Sequence, residues 1–454
     1  MNLLKSLKSL INGFVKGGEN MDEVADISKV ETAMSGTMHS AISSWWDAFQ
    51  NILHEKPTHD NFKPLSMAYV STAHLAQLVT SEIKFQLADE NLNKYVQKNL
   101  IPNLDRITQL TLAGGYTVIK PFITSKGAVM FDFGTSRDFL PIAFDESGQI
   151  TEGIFREIIR YKGRLYERRE HHRFSDGVHH VTNTAWICGQ RQQVDLSKIP
   201  RWAIFAPQGA ISSDIPMIVT FRTPYANNID LDSELPISMF ANSLGCLHEI
   251  NAAHSEYIAE FNKTRAKVFG DGDIFDSCGK ITDDYFVSVE GDGQHSMEEQ
   301  IKVYSPPIRE EQLAARLNKE LRIYEMTTGF SSGTFSLDPK TGMVTATQVV
   351  SEDKTTYNTV CQIQKQLKPV LESLAQITAN LAKYYGMEVT DGEPGIEFGD
   401  SVFEDTDTEF NRRMQMSQAG MLKPECMLTW YFGVPEEKAR EMMPPVSQLF
   451  GGDE

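Results

Sequence analysis

Val360, Ile363, Leu367, Val370, Leu374, Ile377, Leu381 and Tyr384 follow one another at gaps of 3, 4, 3, 4, 3, 4 and 3. A seam sustained at that spacing places every apolar side chain on one stripe of an α-helix, and a strand cannot accommodate it. Pro369 sits inside the seam. Having no N–H, it removes one helical hydrogen bond and predicts a kink at that point. Upstream, "GMVTATQVVSEDKTTYNTV" is rich in threonine and valine, which are poor helix formers. Thr345 followed by Gln348 nevertheless has the spacing of a capping box, and Gly342 breaks whatever precedes it. The stretch predicts the start of a long helix over 345–386, bent in its middle.

The remainder is a mixed α+β chain. Residues 36–110 carry helical patterns, among them "SAISSWWDAFQNIL" with Ile42, Trp45, Trp46, Phe49 and Leu53 on one side. From about 114 to 225 short β-rich runs alternate with Gly, Asp and Pro, which predicts a sheet-containing block. Helical spacing returns at 233, with Pro236 placed in the first turn where proline is tolerated. A further helix is predicted over "IREEQLAARLNKELRIYEMTTG" and is followed by a glycine-punctuated loop, "FSSGTFSLDPKTG".

Charge limits the partners. The chain has 454 residues, with 61 acidic and 43 basic side chains, for a net charge of −18. Such a surface does not grip a nucleic-acid backbone along its length, because that grip depends on neutralising phosphates. Nine of the carboxylates fall between 270 and 300 beside a single lysine, and nine more fall between 388 and 409 with no Lys or Arg. The five cysteines are far apart in sequence, form no CxxC motif and are read as small buried residues in a reducing compartment. At the amino terminus Leu3, Leu7, Leu10 and Phe14 recur at helical spacing with Lys5 and Lys8 between them. The lysines interrupt the apolar run that a secretory signal requires, so the segment reads as an arm that packs on its own protein or a neighbour.

Sites for chemistry are scarce. "HHRFSDGVHH" reads as a hairpin turning at Asp176-Gly177, so Ser175 faces Val178, Phe174 faces His179 and Arg173 faces His180. Alternation then puts His171 with His180 on one face and His172 with His179 on the other, which prevents all four from meeting on one zinc ion. A polar hairpin with solvated imidazoles is expected. The run from Arg156 to Arg173 has seven Lys/Arg against three Glu and reads as a solvated hairpin face or a contact for DNA, scaffold or capsid shell. "GDGDIFDSCG" lacks the glutamate that a calcium loop needs at its twelfth position, which is Thr282. There is no GxxxxGK[ST] or HExxH, and no cofactor motif.

An acidic stretch between two helices, a Gly-rich loop and then a long proline-bearing helix form an unusual order. In that order the chain resembles the portal proteins of long-tailed bacteriophages. The similarity runs through "LSMAYVSTAHLAQLVTSEI", "NLDRITQLTLAGGYTVIKPFI", "FLPIAFDESGQITEGIFREI", "NNIDLDSELPISMFANSLGCLHEIN" and "DPKTGMVTATQVVSEDKTTYNTV", collinear from about 37 to 385. The last resembles the family's Thr-Ala-Thr-Glu-Val signature with Gln348 in place of glutamate, and Pro236 replaces a glycine usual before the stem helix.

The resemblance implies a portal fold with an arm and wing over 1–232, a first stem helix over 233–266 and a clip over 267–304. A second stem helix over 305–328, a tunnel loop over 329–344, the kinked helix over 345–386 and an acidic segment with a helical crown over 387–454 complete it. It also implies a non-enzymatic ring of twelve subunits at one capsid vertex in the virion, assembled in the host cytoplasm. Double-stranded DNA would pass non-specifically through the channel. Terminase large subunit, head-completion or adaptor proteins, and major capsid and scaffold proteins are its implied partners, with no membrane and no cofactor. Tunnel-loop residues Phe330, Phe335, Asp338 and Lys340 are candidates for facing DNA. Asp271, Asp273, Asp276, Asp283 and Asp284 would make the clip acidic, and Thr345 and Gln348 would start the long helix. Acidic segments repeated around a ring would repel phosphates and keep the duplex centred. Two other readings compete: a metal-dependent nuclease or hydrolase using Asp271, Asp273 and Asp276, and a membrane-associated scaffold using the amino-terminal helix.

Overall fold

In the computed structural model, residues 32–52, 63–124, 126–190, 192–264, 267–271, 286–289, 302–304, 307–336, 354–399, 406–432 and 436–443 are described. Helices α1 (Gly36–Phe49) and α2 (Met67–Thr80), strand β1 (Lys84–Gln86) and helices α3 (Glu90–Asn99) and α4 (Ile101–Gly114) come first. The side chain of Ser35 caps α1 by accepting the Met38 N–H, and Asp89 caps α3 by accepting from Asn91 and Leu92. Trp45 and Trp46 are buried, and the Trp46 indole N–H donates to Ser136 Oγ at 3.0 Å.

The β-rich block begins at 116. It comprises β2 (Tyr116–Ile123), β3 (Val129–Thr135), β4 (Phe139–Phe144), β5 (Ile150–Tyr161), β6 (Arg164–Ser175), β7 (Val178–Ile187), β8 (Gln193–Val194), β9 (Gln208–Ser212) and β10 (Val219–Arg222). One sheet has the order β10-β2-β3, and a larger one runs β4-β5-β6-β7-β8 with β9 also paired to β7. The hairpin register is as expected, with Ser175 opposite Val178, Phe174 opposite His179 and Arg173 opposite His180. Asp176 and Gly177, both at positive φ, form its two-residue turn.

Helix α5 spans Leu244–Lys263. The helix expected from 233 therefore starts later, and Pro236 is not in its first turn. Residues 234–238 are not helical, and Leu235, Ile237, Met239 and Phe240 are all buried. Tertiary contacts hold them. Met239 N–H donates to Leu112 O at 3.0 Å, Ser238 Oγ donates to the same carbonyl, and Thr223 Oγ1 donates to Ile237 O at 2.7 Å. Gly115, at φ +87°, lets the Pro236 carbonyl approach so closely that a Cβ would lie 2.7 Å from it.

Strands β11 (Lys267–Asp271), β12 (Phe286–Val289) and β13 (Lys302–Tyr304) form a small sheet ordered β12-β11-β13. Helix α6 (Glu310–Thr328) returns antiparallel to α5. Arg309 clamps Glu260, Arg316 reaches Glu249 and Glu256, and Ser243 donates to Thr327 at the other end. Helix α7 (Lys354–Tyr384) carries the seam: Val360, Ile363, Leu367, Val370, Leu374, Ile377 and Leu381 are buried, while Tyr384 is exposed. It is continuous across Pro369. The expected helix start, Thr345 and Gln348, lies outside the described residues, as does the amino-terminal arm.

Strand β14 (Gly395–Glu397) pairs with β1, so the acidic segment after α7 folds back onto the first helices. There Thr390 N–H donates to Asp89, and Lys383 meets Asp391 at 2.6 Å. Helices α8 (Thr406–Gln418), α9 (Pro424–Phe432) and α10 (Glu436–Glu441) follow. The cysteines depart from expectation. Cys188, Cys246 and Cys361 are only partly buried and Cys426 is exposed, while Cys278 lies outside the described residues.

Candidate functional site

Residues 329–336, which follow α6, form a tightly built base against the first turns of α7. Gly329 ends α6 in the left-handed region at φ +79°, and its N–H donates to Glu325 O. Glycine is required there, because a Cβ would lie 2.6 Å from Thr359 Oγ1. Thr359 Oγ1 donates to Gly329 O at 2.7 Å. One turn earlier on α7, Ser331 and Thr356 bond reciprocally. Ser331 N–H donates to Thr356 Oγ1 at 2.8 Å, and Thr356 N–H donates to Ser331 Oγ at 3.2 Å. These bonds hold the residues after α6 against the start of α7.

Glu325 completes the base. It is 1% exposed, and its carboxylate accepts backbone N–H groups from Gly333 at 2.9 Å, Phe335 at 2.5 Å and Ser336 at 2.9 Å. A buried carboxylate surrounded by main-chain donors fixes the local path of the chain, since those N–H groups have few other partners. Phe330 and Phe335 pack edge to face with ring centroids 4.8 Å apart, and His74 on α2 lies against both. That cover lowers the His74 pKa by desolvation.

The two aromatics were expected to face DNA; the burial of Phe330 does not fit this, and Phe335 is half-buried. Phe330 is 2% exposed and Phe335 packs against the main core. They anchor the loop from below, because large apolar rings lose more by hydration than they gain from a polar channel. Asp338 and Lys340 lie outside the described residues. Of the acidic candidates, Asp271 ends β11, opposite Val289 on β12, whereas Asp273, Asp276, Asp283 and Asp284 lie outside the described residues. Sequence reasoning missed Glu325, Ser331, Thr356 and Thr359. The available signal was a carboxylate on the buried stripe of α6, beside Leu317, Leu321, Tyr324 and Thr328.

The histidine hairpin and the basic run also differ from expectation. His172 and His179 are buried, where solvated imidazoles were expected, because the even face of β6 is covered by the β10-β2-β3 sheet and the residues leading into it. Met217 N–H donates to His179 Nδ1 at 3.2 Å, which leaves the proton of neutral His179 on Nε2. That proton faces His172 Nδ1 at 2.8 Å, and His172 Nε2 faces Glu170 at 2.9 Å. Glu170 ends the chain on Lys120 Nζ at 2.5 Å.

Burial lowers both imidazole pKa values, that of His179 to about 3. Burial alone would raise the Glu170 pKa, but Lys120, His172 and Arg168 hold it well below the usual range. In the basic run, Arg168 and Arg169 are buried and paired with Glu157, Glu170 and Glu167. A solvated face was expected. Only Arg160, Lys162 and Arg164 at the β5–β6 turn and Arg173 near the other end stay exposed. His171 and His180 lie on the opposite face of the hairpin, as the alternation requires, and His171 bonds Glu152 at 2.8 Å. Among the described residues no group of three or more His, Cys, Asp or Glu could hold a metal ion. No helix among them is long and apolar enough to cross a membrane.

Comparison with known proteins follows this geometry. The family model described as "Phage portal protein, SPP1 Gp6-like" matches residues 61–443. No curated protein matches the chain significantly. A solved structure described as "Neck of native GTA particle computed with C12 symmetry" aligns at 11% identity and a TM-score of 0.40, covering 94% of this chain and 99% of the other. The family match spans most of the sequence and carries the conclusion: the chain belongs to the phage portal protein family, a structural family of the head–tail connection through which the viral genome is packaged.

Proposed function

We propose that the chain assembles into a closed ring of twelve subunits at one capsid vertex, and that residues 329–344 are the tunnel loop that faces its DNA channel. One observation carries this reading: the first residues of that segment are tied to the end of α6 and the start of α7 by Glu325, Gly329, Ser331, Thr356 and Thr359. A segment held this firmly at its start is suited to presenting side chains at a set radius. The α5–α6 pair serves as the stem, and the strands between them belong to the clip. The clip docks terminase large subunit during packaging and head-completion or adaptor proteins afterwards. Its carboxylates, with those after 388, disfavour deep phosphate contacts and let the duplex slide. Capsid and scaffold proteins meet the outer surface in the virion, after assembly in the host cytoplasm.

The test is a deletion that respects the base. Residues 338–351 are replaced by Gly-Ser-Gly, leaving Phe330 to Ser336 and Thr356 intact. Rings viewed by electron microscopy should be unchanged, while packaging of DNA into capsids should fall sharply. Normal packaging by the shortened ring would refute the tunnel-loop assignment. A chain that stays monomeric with capsid and scaffold proteins present would refute the ring.

A further inference from the structure

Strand β9 is an open edge. Its register with β7 sets Gly177 against Ser213 and Asn183 against Pro207 at its two ends. Ser213 N–H donates to Gly177 O at 3.0 Å, and Asn183 N–H donates to Pro207 O at 2.8 Å. Both are hydrogen-bonded pairs, so residues 207, 209, 211 and 213 point their main-chain groups at β7. The N–H and C=O groups of Gln208, Ala210 and Ser212 therefore point outward, and among the described residues no strand pairs with them.

Natural edges of this kind are blunted by charge, proline or a bulge. This one is not. Residues 203–212 read AIFAPQGAIS without a single charge, in a chain whose net charge is −18. Ile204 is 79% exposed, and Ala203, Ala206, Gln208, Gly209, Ala210 and Ser212 are exposed as well. The strip is firmly held from beneath. Trp202 is buried and donates to Glu157 at 3.0 Å, Arg168 lies 4.2 Å over the Phe205 ring, and Asn183 Nδ2 donates to Ala206 O at 3.0 Å. An uncharged, apolar and preorganised edge is suited to accepting an added strand.

We infer that β9 and the strip before it receive an extended segment of a second copy of this chain, and so form part of the subunit boundary; this rests on the ring proposed above. Charge selects the occupant. Copies that each carry −18 repel, and they approach at least cost where neither carboxylates nor lysines must be desolvated. Residues 203–212 offer such a surface. The contact is head-to-tail, because β9 pairing with β9 about a twofold axis would close a dimer rather than a ring.

Two substitutions test this. Ala210→Pro removes an outward N–H and spares the bonds to β7, as edge strands permit. Ile204→Lys places a charge on an exposed turn and keeps the proposal testable where the proline variant does not fold. Ring mass is followed against protein concentration by analytical ultracentrifugation, with melting of the monomer as the folding control. Both variants should melt near the wild-type midpoint and need about tenfold or more protein for half-maximal assembly, the equivalent of one decade in an association constant. In wild-type rings, hydrogen exchange over 203–212 should be slower than in monomers. If wild-type and variant proteins assemble at the same concentration, or 203–212 exchanges equally fast in rings and monomers, the inference is overturned while the ring stands. If the wild type forms no ring with capsid and scaffold proteins present, both are overturned.

Discussion

Replacing Glu325 by glutamine separates a clamp from a bystander. One carboxylate oxygen accepts from Phe335 and Ser336, and the other accepts from Gly333. An amide in the same place keeps one acceptor oxygen. That oxygen settles on the side with two donors, so the NH2 group is left facing the Gly333 N–H. A hydrogen bond to a charged group contributes roughly 1.5–3 kcal/mol, and Glu325→Gln forfeits about one such bond. Glu325→Ala strips all three in a site that is 1% exposed, and a cost of about 3–5 kcal/mol is expected, as for breaking a buried charged contact. Amide exchange resolved to single residues reads this directly. In the glutamine variant Gly333 should exchange about tenfold faster or more, since 1.4 kcal/mol is one decade, with Phe335 and Ser336 changing less. DNA packaging should fall while rings persist. If Gly333 exchange is unchanged, or the amides of α6 all speed up together, the clamp is not what holds the loop base.

Two further outcomes follow from the same contacts. Gly329→Ala should cost about 1–3 kcal/mol in urea unfolding, through positive φ and a clash with Thr359, and an unchanged midpoint would refute the αL cap. The histidine chain makes stability depend on pH. The folded pKa of His179 is depressed from 6.5 to about 3, so its contribution is complete above pH 6.5 and is lost as pH falls towards 3. The slope is about 1.4 kcal/mol per pH unit for each buried imidazole, and His172 adds to it in the same direction. Glu170, also depressed, loses its contribution below about pH 4.3. His179→Gln should flatten the dependence of the urea midpoint between pH 6.5 and 4, and an unaltered slope would refute neutral burial.

Much of this was readable from local periodicity. The seam of α7 depends only on spacing, and every apolar residue in it except Tyr384 is buried. The histidine hairpin likewise follows from the Asp176-Gly177 turn and strand alternation, and its register and faces are those expected. What periodicity cannot supply is the element that covers a face. The β10-β2-β3 sheet turns the even side of β6 from a wet surface into an ionic interior, and no feature of "HHRFSDGVHH" announces that neighbour. Residues 233–240 have helical spacing, but the Leu112 carbonyl and the gap at Gly115 draw them into an extended path. Phe330 and Phe335 were candidates through their place in the implied tunnel loop, yet their surroundings are set by His74, far away in sequence.

Helix α7 joins the loop base to the rest of the subunit. At its first turns Thr356 and Thr359 hold residues 329–331. Farther along, its buried seam belongs to the core that also contains Val118, Ile119, Val219 and Phe221 of the β10-β2-β3 sheet. Near its end Asn380 Nδ2 donates to Asp214 at 3.0 Å, two residues beyond β9. A helix of 31 residues is about 46 Å long and nearly incompressible along its axis. The loop base therefore cannot shift along α7 without breaking the threonine contacts or moving the sheets. Both alternatives expose buried side chains. Position at the base is thus set by the core, and the same helix links it to the open edge at β9. If β9 lies at the subunit boundary, neighbouring loop bases are held at fixed separation through α7, independently of contacts between the loops themselves.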